Sequence, residues 1–119
     1  MQKKSKENPI VAKSYIFALR VIKAHKVLFE ERKERVLSMQ FLRSGTSIGA
    51  NIREAVQAQS KKDFISKMSI SLKEAHETDY WTQLLRDSDY FRMNESESLL
   101  KDLSELIAIL TSILKTSRS

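Results

Sequence analysis

The sequence predicts an all-α protein, an antiparallel four-helix bundle in up-down-up-down order. The chain of 119 residues contains two glycines and one proline, too few turn-forming residues for an all-β fold. Apolar residues recur at intervals of three and four, as expected for helices with one buried face. The segments between these periodic stretches are short, so consecutive helices are expected to run antiparallel. The length suits one domain, residues 1–119, with one core.

The first helix is predicted over residues 9–33. Asn8 precedes Pro9, and an N-cap residue followed by proline at the first helical position is a typical helix start. Apolar side chains such as Val21 and Leu28 then recur on one face. The preceding residues 1–8 carry three lysines and are expected to form a flexible basic tail. These lysines are Lys3, Lys4 and Lys6.

The third and fourth helices also begin at capping sequences. Ser60, with Asp63 three residues later, predicts a helix over residues 61–88. Asn94 with Glu97 predicts a helix over residues 95–116, and leucines then repeat along one face of it at alternating intervals of four and three.

The second helix, predicted over residues 36–59, contains both glycines of the chain. The run from Gly45 to Gly49 resembles a phosphate-binding loop at first sight. Such a loop needs lysine and a hydroxyl residue after its last glycine, whereas Ala50 and Asn51 follow here. The apolar period also continues through both glycines without a break. We therefore interpret the run as a helix whose bare backbone lets a neighbouring helix approach closely.

A polar stripe accompanies this thin face of the second helix. Ser47, Asn51 and Glu54 lie on it, and we expect them to be largely buried and paired with the third helix, because unpaired polar groups at the edge of a core are costly. Glu54 and Glu74 are interpreted as members of buried structural pairs. General acid–base chemistry by these carboxylates is the alternative.

The first and third helices carry apolar residues on their outer sides as well as their inner sides. A single bundle of this size has no further layer to cover them, so self-association is expected. The candidate contact residues are Ile16, Leu19, Val27, Ile70, Trp81 and Leu84.

Positive charge is concentrated in the first half of the chain. Residues 1–62 contain 14 Lys and Arg against 5 Asp and Glu, a net +9, and residues 63–119 contain 7 against 10, a net −3. This asymmetry favours a polyanionic partner, RNA or DNA, bound through phosphates without sequence recognition. An ordinary solvated face is the alternative. The candidate contact residues are Lys13, Arg20, Lys23, Lys26, Arg43, Arg53, Lys61 and Lys62.

The sequence gives little support for an enzyme, a metal site or a cofactor. It contains no cysteine, and a di-iron bundle needs Glu-x-x-His motifs, whereas Glu74, His76 and Glu77 have the wrong spacing. His25 lies on an apolar face and is expected to be a hydrogen-bonded core histidine. The longest apolar run, residues 106–110, is too short to cross a membrane, so we expect a cytoplasmic protein without a membrane partner.

Three segments resemble a family of small bacterial four-helix-bundle proteins: SGTSIGANIREA, SKKDF and KEAHETDYW. The family includes proteins encoded in intervening sequences of 23S ribosomal RNA genes and is similar to accessory proteins of diversity-generating retroelements. Many members have glycine where this chain has Ala55. The signature residues are Gly45, Ser47, Gly49, Asn51, Glu54, Glu74, Glu77 and Trp81.

The resemblance implies an antiparallel bundle that assembles into a ring of five subunits. For the retroelement relatives it also implies a basic surface that binds nucleic acid and a reverse transcriptase. Together with the charge, it predicts a non-enzymatic homopentamer that contacts nucleic-acid phosphates. The alternative is an oligomeric scaffold for another protein, with no direct role in nucleic-acid binding.

Overall fold

The computed structural model describes residues 9–119, and the predicted four-helix fold is confirmed. Helix α1 (Pro9–Lys26) continues into a π-helical turn (Val27–Glu31). It is followed by α2 (Leu37–Val56), α3 (Lys61–Asp87) and α4 (Met93–Arg118). Residues 9–119 contain no strand. The predicted Asn8 cap and the basic tail with Lys3, Lys4 and Lys6 lie outside the described residues.

Each helix packs against two neighbours. Helices α1 and α3 both contact α2 and α4, so α1 and α3 occupy diagonally opposite corners of the bundle. The core between the four helices is mainly apolar. Its largest buried side chains include Phe17, Phe41, Ile48, Met68, Leu85 and Leu106.

The capping prediction is confirmed for α3 and wrong for α4. The Ser60 hydroxyl accepts a hydrogen bond of 3.0 Å from the backbone N–H of Asp63. Helix α4 begins two residues earlier than predicted, because the Glu95 carboxylate accepts a bond of 2.8 Å from the backbone N–H of Arg92. The capping bond therefore joins Arg92 and Glu95 rather than Asn94 and Glu97.

The end of the first helix also differs from the prediction. The helix widens at Val27, where the Arg32 N–H donates to the Val27 carbonyl over 3.0 Å. The Glu34 N–H then reaches back to the Leu28 carbonyl over 2.9 Å, and Lys33 adopts a left-handed conformation with φ of 61°. This is the closing pattern of a Schellman motif, with lysine in the place usually taken by glycine.

The glycines of α2 pack against α1, as predicted. The helix passes through Gly45 and Gly49 without a break, and both are buried. A Cβ atom at Gly45 would lie 2.8 Å from both Cγ atoms of Val21, and one at Gly49 would lie 3.3 Å from the Ser14 hydroxyl. The two helices therefore touch through bare backbone at these positions.

The predicted burial of the polar stripe is wrong. The Glu54 side chain is 60% exposed and forms a surface ion pair of 3.1 Å with Lys67 of α3. Ser47 and Asn51 are half-buried and bond within their own helix, to the carbonyls of Arg43 (2.7 Å) and Ser47 (2.9 Å). These side chains lie at the solvent edge of the α2–α3 contact, where a bond to the helix backbone satisfies them.

The buried polar contacts between α2 and α3 come from hydroxyl groups instead. The Thr78 hydroxyl donates to the Ser44 hydroxyl over 2.9 Å, and the Ser71 hydroxyl donates to the Ile48 carbonyl over 2.8 Å. All three hydroxyl residues are fully buried. Short hydroxyl side chains thus join the two helices inside the core.

Candidate nucleic-acid interface

Three of the eight predicted cationic residues are bound to carboxylates. Lys13 and Arg20 of α1 pair with Glu105 (3.2 Å) and Asp102 (2.5 Å) of α4. Arg20 also donates to the Ser98 hydroxyl and carbonyl. These two cations hold α1 against α4, so their charge is compensated inside the subunit.

Arg43, the third paired cation, belongs to a network across the α2–α3 surface. Its guanidinium pairs with Glu74 over 3.3 Å and also with Glu77. The indole N–H of Trp81 donates to Glu77 over 2.9 Å. The bonds from Trp81 and from Arg43 lower the pKa of the Glu77 carboxyl below its ordinary value. Four residues of this network are therefore held by one another on a half-exposed surface.

The other five predicted cations form no ion pair within residues 9–119. All five are exposed, and they are Lys23, Lys26, Arg53, Lys61 and Lys62. Lys23 and Lys26 lie on α1, whereas Arg53, Lys61 and Lys62 lie where α2 ends and α3 begins. The predicted set therefore does not form one continuous face.

One end of the bundle gathers three of these five unpaired cations. The antiparallel order places the last turn of α4 beside the α2–α3 connection, which adds two cations that the sequence did not single out. We call this surface the basic pole, and its members are Arg53, Lys61, Lys62, Lys115 and Arg118. Its acidic neighbours are Glu54, which pairs with Lys67, and Asp63 in the first turn of α3.

Lys115 and Arg118 were missed because nothing near them in sequence marks them. They are about fifty residues away from Lys61 and Lys62 along the chain, and only the direction of α4 brings them to the same end. The Arg118 guanidinium donates to the Ser69 hydroxyl over 2.9 Å, which draws the end of α4 onto α3. The order of the four helices was the signal that could have located them.

The predicted oligomer contacts divide into two groups. Ile16 and Leu19 on α1 are 58% and 50% exposed, and Ile70 on α3 is also exposed. Val27, Trp81 and Leu84 are partly covered within the subunit. Two further α1 side chains, Tyr15 and Ile22, are exposed beside Ile16 and Leu19 and extend the apolar surface.

The residues considered for catalysis and metal binding are not assembled into a site. Between residues 9 and 119, no three His, Asp or Glu side chains are placed to hold a metal ion. The Ser38 hydroxyl lies 2.6 Å from Nδ1 of His25, but Ser38 is completely buried. His25 is thus hydrogen-bonded at the edge of the core, as expected. None of the described helices combines the length and apolar character needed to cross a lipid bilayer.

The chain is similar to proteins of a known family and to solved structures. The family model described as 23S rRNA-intervening sequence protein matches residues 6–112. A solved protein of unknown function from Bacteroides thetaiotaomicron, of the S23 ribosomal protein family, is 52% identical in sequence with a TM-score of 0.88. The match covers 89% of this chain and 98% of that one. No curated protein matches the chain.

Proposed function

This chain belongs to the family of 23S rRNA-intervening sequence proteins, and from that premise we propose that it is a non-enzymatic, self-associating protein that binds nucleic acid. The binding surface is the basic pole. Contacts are made to phosphates, without recognition of a base sequence by hydrogen-bonded side chains. RNA and DNA both present the required charge.

The observation that carries this proposal is the excess of unpaired positive charge at the basic pole. Among residues 9–119, five cations meet two carboxylates there, and one of those carboxylates, Glu54, is already paired with Lys67. Exposed cations without a protein partner attract polyanions, and their binding releases the counterions that surround the nucleic acid. Lys23 and Lys26 on α1 add further unpaired charge along the side of the bundle.

Self-association is supported by the exposed apolar side chains of α1 and α3. These two helices lie at diagonal corners, so the two surfaces point in different directions. A contact between Leu19 of one subunit and the Ile70 surface of the next would be heterologous, and heterologous contacts generate rings when the rotation closes. The ring of five is the number implied by the family resemblance. It would repeat the basic pole five times and multiply weak phosphate contacts.

The proposal that the protein is not an enzyme rests on the residues that catalysis would need. Ser38 is beside His25 but is completely buried, so no substrate can reach its hydroxyl. Glu74 and Glu77 are paired with Arg43, and Trp81 binds Glu77 as well. These carboxylates serve as fixed anchors for neighbouring cations.

A scaffold for another protein is the second candidate function. The Arg43–Glu77–Trp81 network favours it, because arginine and tryptophan held in place on a half-exposed surface are typical of protein contacts. In this case the charge of the basic pole would serve mainly solubility.

One experiment separates the two candidates. The solution mass is measured first, and fluorescently labelled RNA and DNA are then titrated with the protein at two salt concentrations. Lys61→Glu with Lys62→Glu reverses charge at the basic pole. Lys73→Glu with Lys101→Glu changes the net charge equally and lies away from it.

We expect binding that weakens steeply with salt, and a much larger loss for the pole variant than for the control. Equal losses for the two variants would contradict the assignment to the basic pole. The absence of binding at low salt would leave the scaffold function, and a monomeric mass would contradict both.

A further inference from the structure

Tyr15 and Arg53 form an exposed cation–π pair at the seam between α1 and α2. The guanidinium carbon of Arg53 lies 5.1 Å from the ring centroid of Tyr15, and the tyrosine is 51% exposed. Arg53 forms no ion pair within residues 9–119. A planar cation on an aromatic ring, open to solvent, is a surface on which another flat group can stack.

A depression of about 490 Å³ adjoins this pair, and Arg53 is one of its walls. Val11, one turn before Tyr15 on α1, and Val56 on α2 give it an apolar lining. Gln57 completes the wall and carries an amide with both donors and an acceptor. The depression thus combines an apolar surface, a planar cation and one uncharged hydrogen-bonding group.

The position of the depression links it to the basic pole. Arg53 belongs to both, and Lys61 and Lys62 follow five and six residues after Val56, across the short α2–α3 connection. A chain of nucleotides with one base in the depression would therefore have cations beside its neighbouring phosphates. An apolar ligand without charge would use only part of this surface.

We propose that the depression binds an unpaired nucleobase, so that the protein prefers single-stranded nucleic acid to duplex. The base stacks on the Tyr15–Arg53 pair, and the Gln57 amide contacts its edge. Because this amide both donates and accepts, the contact selects no particular base. Bases of a duplex are stacked inside the helix and cannot enter the depression, whereas bases of a single strand can turn outward. This inference rests on the proposed nucleic-acid function, and it adds that the basic pole binds the single-stranded form.

The test compares a single-stranded oligonucleotide, which contains one 2-aminopurine, with the duplex of the same sequence. Affinity is measured at low salt, and the 2-aminopurine fluorescence reports stacking of the base. We expect the full chain to bind the single strand about tenfold more tightly than the duplex, with quenched fluorescence. Tyr15→Leu and Arg53→Lys should remove the preference and the quenching, whereas Tyr15→Phe should retain both.

Tyr80→Leu is the matched control, because Tyr80 is exposed to a similar degree on α3. It should leave the preference unchanged. Equal affinity for single strand and duplex, or equal losses for both in Tyr15→Leu, would overturn the stacking site while leaving phosphate binding in place. A changed solution mass of Tyr15→Leu would also overturn it, by placing Tyr15 in the subunit contact. No binding of either form would instead overturn the proposed function itself.

Discussion

The guanidinium of Arg32 binds the carboxylate of Glu95 through two parallel hydrogen bonds of 2.8 and 2.9 Å. Arg32 follows the π-helical turn, and Glu95 lies in the first turn of α4, so the pair joins the end of the first helix to the start of the last. The same guanidinium donates to the Tyr90 carbonyl over 2.7 Å. The bond from Arg32 is the main cause that lowers the pKa of Glu95 from 4.5 to about 2.

This pair predicts a loss of stability in acid. Because the pKa of Glu95 is lower in the folded state, its carboxylate stabilises the fold above pH 4.5, and this contribution disappears as the pH falls toward about 2. After allowance for the exposed part of the side chain, we expect about 1–2 kcal/mol in the free energy of unfolding. Urea denaturation of the parent and of Glu95→Gln between pH 2 and 6 measures it.

The difference in the free energy of unfolding between the parent and Glu95→Gln should be largest near pH 6 and vanish at about pH 2. Glu97→Gln, a change at an exposed α4 carboxylate that forms no ion pair within residues 9–119, is the control and should show no such trend. A constant difference across this range would contradict the assignment to Glu95.

The glycine contacts predict a graded response to added side chains. Gly45→Ala should lower the free energy of unfolding by about 1–3 kcal/mol, because its methyl would overlap the branched Val21 side chain. This outweighs the gain of ~1 kcal/mol in helix propensity. The methyl of Gly49→Ala would lie 3.3 Å from the Ser14 hydroxyl, a tight contact that a small shift of the hydroxyl relieves, so this change should be close to neutral, whereas Gly49→Leu should cost several kcal/mol. Thermal denaturation of the three variants measures the order of their stabilities.

Val21→Ala supplies the internal check on Gly45. The double change Gly45→Ala with Val21→Ala should be less destabilising than the sum of the two single changes, since the shortened residue makes room for the new methyl. Strict additivity would show that the overlap at Val21 is not the cause.

The hydroxyl pair between α2 and α3 predicts a measurable coupling. Thr78 donates to Ser44 in a fully buried contact. In a double-mutant cycle of Ser44→Ala and Thr78→Val, the interaction energy should be about 0.5–1.5 kcal/mol. The control cycle of Ser47→Ala and Thr78→Val, two residues that share no hydrogen bond, should give a value near zero.

The left-handed conformation of Lys33 predicts a stabilising substitution. Its φ of 61° is unfavourable for a residue with a Cβ atom. Lys33→Gly should therefore raise the free energy of unfolding by about 1 kcal/mol. Lys33→Ala keeps the Cβ and should bring no such gain. If both variants had the same melting temperature, the backbone conformation would not be the cause.

The sequence allowed the helices and their closest contact to be predicted because those depend on local patterns. The apolar period through Gly45 and Gly49 identified a continuous helix, and Ser60 with Asp63 marked the start of α3. The start of α4 was misplaced because Arg92 is not a usual capping residue and contributes through its backbone N–H. The π-helical turn could not be predicted from the sequence, since one widened turn hardly changes the spacing of apolar residues.

The candidate site was only partly predictable, because it depends on the burial of each side chain and on contacts between distant parts of the chain. A helical wheel gives the direction of a side chain and not its burial, so Glu54 was expected to be covered although it faces solvent. The pairing of Arg20 with Asp102 and the approach of Lys115 to the basic pole both need the packed bundle. Likewise, the cation–π contact between Tyr15 and Arg53 could not be predicted from the sequence, because the two residues belong to different helices.

The contact between Gly45 and Val21 also constrains how this protein can change over evolutionary time. The space that a side chain at position 45 would need is already filled by Val21, whose Cγ atoms would lie 2.8 Å from a Cβ atom at that position. A mutation that enlarges residue 45 is therefore tolerated only after residue 21 has become smaller, and the reverse order passes through an unstable intermediate. The two positions should accordingly covary among relatives, with a larger residue at 45 accompanied by alanine or glycine at 21.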